Sequence, residues 1–145
     1  MKLSAHFSLE EFTISSKALS MGVKNDPTPA HLENLKRLAE RMEGVGALFN
    51  RPIEITSAYR NPQVNAAVGG VPNSAHALGH AADFHVDGLT DLEAAKTIRD
   101  SGLKFDQLIY EKSRCVHISF DPRLRQQVLR QPGGPGSTVY SGLEP

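Results

Sequence analysis

This 145-residue chain has no tryptophan and one cysteine, Cys115. A lone cysteine excludes an intramolecular disulfide, so the fold must rest on its core, and the length is sufficient for one. Neither sign of charge is in excess: Lys plus Arg number 16 and Asp plus Glu number 16. That balance argues against binding nucleic acid by bulk electrostatics. No apolar run is long enough to cross a bilayer. The start, Met1-Lys2-Leu3-Ser4-Ala5-His6, has no apolar stretch ahead of Glu10-Glu11 that would make a secretory signal. The expectation is a monomer made in the cytoplasm without a signal peptide, with no membrane insertion and no nucleic-acid partner.

What is present is a series of helix starts and short apolar runs. Ser8 with Glu11 reads as a capping box, and Phe7 can staple onto Phe12. One short helix is expected there, ending before Ser20-Met21-Gly22. Thr28-Pro29 reads as the cap and first residue of the longest helix, whose Leu32, Leu35, Leu38, Ala39 and Met42 recur at three- and four-residue steps. Pro52-Ile53-Glu54-Ile55-Thr56-Ser57 is a short β-type run. Asn61-Pro62 opens a short helix through Ala67, and residues 69–79 read as a loop. Ala82, Phe84 and Val86 alternate with Ala81, Asp83 and His85, as the two faces of a strand do. Thr90 with Glu93 is a second capping box, and the helix it opens stops near Gly102. The runs from Phe105 to Glu111 and from Cys115 to Phe120 are close enough to form a hairpin. Asp121-Pro122 reads as the start of one more helical turn. Residues 1–130 are expected to form one domain, and 131–145 a Pro/Gly-rich flexible tail.

Chemistry concentrates in Ser74-Ala75-His76-Ala77-Leu78-Gly79-His80-Ala81-Ala82-Asp83. In one continuous helix, His76 and Asp83 would be separated by about 10 Å of rise, too far to share an ion. If His76 ends a loop and Asp83 lies on the strand it enters, Gly79 lets the chain fold back and bring them together. His117 is the third candidate. Two imidazoles and a carboxylate suit a single Zn2+ and leave a fourth position for water. With Lys112-Ser113-Arg114 as a three-residue loop, Glu111 faces Cys115 and Ile109 faces His117. Glu111 is then a diagonal neighbour of His117, roughly 7–8 Å away at the backbone, which a glutamate side chain can cross. It is the candidate general base. Arg60, directly after a strand, can clamp a substrate carboxylate or carbonyl.

Three motifs in this order carry a resemblance: Ser57-Ala58-Tyr59-Arg60-Asn61-Pro62, the pattern from Ser74 through His76, Gly79 and Ala81 to Asp83, and Val116-His117-Ile118-Ser119. Together they resemble the zinc D-alanyl-D-alanine carboxypeptidases and related peptidoglycan endopeptidases, over roughly Phe7 to Phe120. The resemblance implies an α+β fold of the Hedgehog/DD-peptidase type, a small antiparallel sheet flanked by helices. It implies zinc on His76, Asp83 and His117, substrate held by Arg60, and peptidoglycan peptides as substrate. Tyr59, Ser74 and His85 are the candidates for supporting or substrate-binding roles. Many relatives carry an acidic residue three positions before the last histidine, where this chain has Arg114. The base is therefore assigned to Glu111, as in relatives with Glu at the end of the preceding strand. An enzyme of this type acts on the cell wall, as a phage endolysin or a bacterial peptidase.

Plainer readings stand beside these. His6 and His31 read as ordinary exposed or satisfied histidines, and His80 as exposed or supporting. His85 becomes a ligand only if the strand register differs. Arg60 has a rival role pairing with Glu54, Glu111 one as a solvated hairpin end. Cys115 reads as a packed residue on the site face. The alternative function is a non-catalytic zinc module that binds wall peptides without cutting them.

Overall fold

The computed structural model describes residues 1–134 and 136–145. Capping chemistry sets the first helices. Ser8 Oγ accepts the Glu11 N–H at 3.2 Å and the Glu11 carboxylate accepts the Ser8 N–H at 3.1 Å, so α1 (Leu9–Thr13) begins where the box demands. The Phe7 and Phe12 rings lie 5.7 Å apart. The single short helix expected here is two. Ile14 turns extended, and Ser15 caps a new start by accepting from the Ala18 N–H at 3.0 Å. The second helix, α2 (Ser16–Met21), stops at Gly22 with φ 69°. Thr28 caps α3 (Pro29–Phe49), which buries Leu35, Leu38, Ala39, Met42 and Val45.

The sheet runs β1-β2-β4-β3-β5-β6, formed by β1 (Ile53–Ser57), β2 (Ala81–Val86), β3 (Gln107–Glu111), β4 (Cys115–Ser119), β5 (Gln127–Arg130) and β6 (Tyr140–Ser141). Between β1 and β2 lie α4 (Pro62–Ala67) and α5 (Ala75–Leu78); α6 (Asp91–Asp100) follows β2. Asn61 caps α4, and Thr90 with Glu93 boxes α6. Ile55, Ala82, Phe84, Val86, Leu108, Val116 and Ile118 meet α3 and α6 residues in one core. Each large side chain fully buried there contributes about 1.5–3 kcal/mol. No helix of the described residues is long and apolar enough to cross a membrane.

The α+β expectation holds, with corrections at the far edge of the sheet. Asp121-Pro122 starts a turn and no helix: the Leu124 N–H reaches the Asp121 carbonyl at 2.9 Å. After it comes β5, parallel to β3, so the sheet is only mostly antiparallel. Within the stretch expected to be a loose tail, Tyr140 and Ser141 form a strand and Leu143 is buried. Tyr140 and Ser141 pair with Arg130 and Leu129, Arg130 donates to the Ser141 carbonyl at 2.5 Å, and Leu143 is 3% exposed within the core. One leucine reaching the core gives this segment the apolar anchor its composition conceals.

Candidate active site

The hairpin β3–β4 has the register expected of a three-residue loop: Glu111 faces Cys115, Ile109 faces His117 and Gln107 faces Ser119. Ser113 takes φ 65° and the Arg114 N–H closes the loop on the Glu111 carbonyl at 2.9 Å. On the other side of β4, Asp83 of β2 stands directly opposite His117. Three strands therefore bring a carboxylate, an imidazole and a second carboxylate to one sheet face.

His76 arrives from outside the sheet. The loop expected around it contains a single helical turn, α5, capped by Ser74, whose Oγ accepts the Ala77 N–H at 3.2 Å. Gly79 ends the turn at φ 82°, and a Cβ there would lie 3.0 Å from the His31 carbonyl oxygen of α3. Only glycine suits both demands. The turn is tied down from both sides: Asn34 donates to the Leu78 carbonyl at 2.8 Å, and the Ser74 hydroxyl donates to Asn65 Oδ1 at 3.0 Å. Asn65 is itself 1% exposed and donates to the Val71 carbonyl at 2.7 Å.

The donor atoms converge. His76 Nδ1 lies 2.6 Å from the Ala58 carbonyl; a carbonyl only accepts, so this nitrogen carries the proton and Nε2 presents a lone pair. That lone pair lies 3.2 Å from Asp83 Oδ1, and His117 Nδ1 lies 3.0 Å from the same oxygen. The ligand atoms of all three residues fall within 4.8 Å of one another. With both imidazoles deprotonated toward Asp83, the three residues would present lone pairs to one buried space, an arrangement that a bound cation satisfies. A divalent ion fits this N, N, O donor set.

Glu111 is 6% exposed. Its Oε1 lies 2.5 Å from Arg114 Nη2 as an ion pair, and its Oε2 stands 3.9 Å from His117 Nδ1. Burial and then the charge of Asp83 raise its pKa, against the pull of His117 and Arg114. Arg60 follows β1, and its backbone N–H donates to the His76 carbonyl at 3.2 Å. Burial lowers its pKa while Asp83 and Glu111 support its charge. It makes no ion pair with Glu54. Arg60 Nε and Arg114 Nη1 are the buried side-chain polar atoms without a partner among the described residues.

The peptidase M15 family matches residues 5–119 of the chain. The chain belongs to the peptidase M15 family. No curated protein matches it.

Within this M15 chain, the remaining candidates take supporting places or none. Ser74 braces the His76 turn and does not touch the donor cluster. Tyr59 is 1% exposed, with its hydroxyl 3.3 Å from His31 Nδ1. It packs in the core, where its hydroxyl is the partner of His31, which is the supporting place of the two roles expected for it. His85 bonds Asp91 Oδ1 at 2.8 Å through Nδ1, outside the donor cluster. Cys115 does lie on the site face, its sulfur within 4.8 Å of the Asp83 and Glu111 ligand oxygens. Burial and those two carboxylates push its thiol pKa up, so it stays protonated and is no nucleophile. Sequence reasoning missed Arg114 and the Ala58 carbonyl. The loop length carried a signal for Arg114, since a closed three-residue loop sets it against the end of β3. Nothing in the sequence marks which carbonyl will fix a histidine.

Proposed function

We propose that this M15 peptidase is zinc-dependent and hydrolyses peptide bonds in bacterial peptidoglycan. The observation that carries the reading is the convergence of His76 Nε2, Asp83 Oδ1 and His117 Nδ1 with a buried glutamate oxygen 3.9 Å from the last of them. His76, Asp83 and His117 would hold the ion. Zinc bound by such ligands supplies Lewis acidity and lowers the pKa of water to about 7.

The chain's own residues do the rest. Glu111 is the general base: its Oε2 is the oxygen 3.9 Å from His117 Nδ1, and its raised pKa suits a group that takes a proton from attacking water and returns it to the leaving amine. Arg60 orients the substrate by a carboxylate or carbonyl oxygen. The Ala58 carbonyl fixes the His76 ring and its tautomer. The enzyme acts at the cell wall, as a phage lysis enzyme or a bacterial peptidase.

The test is mass spectrometry of purified peptidoglycan digested with zinc-loaded protein, beside a chelated sample and Glu111→Gln. New peptide ends that vanish on chelation and in Glu111→Gln are expected, and they identify the cleaved bond. Folded protein carrying one zinc that leaves every wall type unchanged would make it a non-catalytic module that binds wall peptides.

A further inference from the structure

Arg114 gives Glu111 a fixed partner. Surface ion pairs at this spacing contribute little because both side chains are free in water. This pair differs, because the Glu111 side chain is 8% exposed and meets Arg114 Nη2 at 2.5 Å through Oε1. The guanidinium is delivered by backbone: Ser113 in the left-handed region and the Arg114 N–H on the Glu111 carbonyl return the chain beside the carboxylate it left. Arg114 has no other ion pair among the described residues, and its buried Nη1 has no partner that would pull it elsewhere. With Oε1 held, Oε2 is the oxygen left toward His117.

We infer that Arg114 is a positioning residue: it pins one oxygen of Glu111 so that the other faces the metal-ligand cluster. The inference rests on the peptidase reading for its role in catalysis. A planar guanidinium holds a carboxylate in a way a point charge on a flexible stem cannot. Loss of that hold leaves Glu111 free to rotate, and a displacement of about 1 Å in a catalytic group costs roughly 100-fold.

Two measurements test it. In the first, Arg114→Ala is expected to lower kcat by about 100-fold with little change in KM. Arg114→Lys should recover part of the loss. Millimolar guanidinium, far below denaturing concentrations, should recover kcat in Arg114→Ala and leave the wild type unchanged. A loss in KM alone, or no response to guanidinium in folded Arg114→Ala, would overturn the inference. The second needs no turnover: the visible spectrum of the Co2+-loaded protein. Glu111→Gln should shift it and Arg114→Ala should shift it in the same sense. A wild-type spectrum in Arg114→Ala, or no effect of Glu111→Gln, removes the positioning role. If the spectra behave as expected and no peptide is cut, the peptidase reading fails while the positioning stands.

Discussion

Along β2, Ala82, Phe84 and Val86 point into the core while Ala81 and Asp83 point the other way, and all five are buried. The same holds on β4, where Val116 and Ile118 face the core and Cys115, His117 and Ser119 the site. The two faces of one sheet are thus equally dry and chemically opposite. On the core face burial is itself the stabilising term, because apolar area leaves water. On the site face burial costs stability, because lone pairs and charges leave water and meet one another. Asp83, His76 and His117 are kept together by the core face beneath them and the caps around them. The sheet is a platform whose stability is made on one side and used on the other.

The largest effect should come from breaking the core side. Phe84→Ala removes a fully buried ring beside Asp83 and should cost about 3–5 kcal/mol in urea unfolding, a large part of a domain's stability of about 5–15 kcal/mol. On the site side the sign should reverse with metal. Zinc at roughly 100 times its Kd should raise stability by about 2.7 kcal/mol, and His117→Ala should lose that increment. Without metal, His117→Ala should cost less than Phe84→Ala, since it removes a group whose burial is unfavourable. If metal-free His117→Ala proved the more damaging of the two, the division of labour between the faces would be wrong.

How much of this could be read from the chain depends on how local the cause is. The caps Ser8, Thr28, Asn61 and Thr90 act within three residues and stand where the sequence puts them. The hairpin register follows from one loop length, and with it the shared face of Glu111 and His117. The separation of His76 from Asp83 implied a fold-back, and Gly79 supplies it, although the residue before it lies in a helical turn. What could not be read is decided at long range. The strand β5 pairs with β3 some twenty residues earlier, and all four of its residues are half-buried, so no alternation marks it. Leu143 is one apolar residue among Gly, Pro and Ser, and only the structure shows it reaching the core. Its truncation sharpens the point: Leu143→Ala should cost about 2 kcal/mol, at the low end for a buried leucine because the exposed residues on either side leave the segment room to settle into the gap.

The smallest effect concerns Asp106, a buried carboxylate with the opposite arrangement to Asp83. Asp106 is 2% exposed and satisfied inside the protein, by Arg125 Nε and Nη2 at 2.8 Å each and the Arg125 N–H at 3.0 Å. Those hydrogen bonds lower its pKa against the effect of burial. A carboxylate whose folded pKa is depressed contributes stability that is complete above its unfolded pKa of about 3.9, and is lost as pH falls through the folded value. The wild type should therefore weaken below about pH 4 through this contact, and Asp106→Asn should show a lower plateau at neutral pH and a shallower acid limb. Zinc should leave that difference unchanged, because Asp106 already has its cation in Arg125. Chemical unfolding across pH, with and without zinc, measures both slopes. An acid limb that keeps its full steepness in Asp106→Asn would mean that Arg125 pairs with Asp106 without stabilising the fold, and that a protein-supplied cation does not do at the edge of the sheet what a metal is proposed to do at its centre.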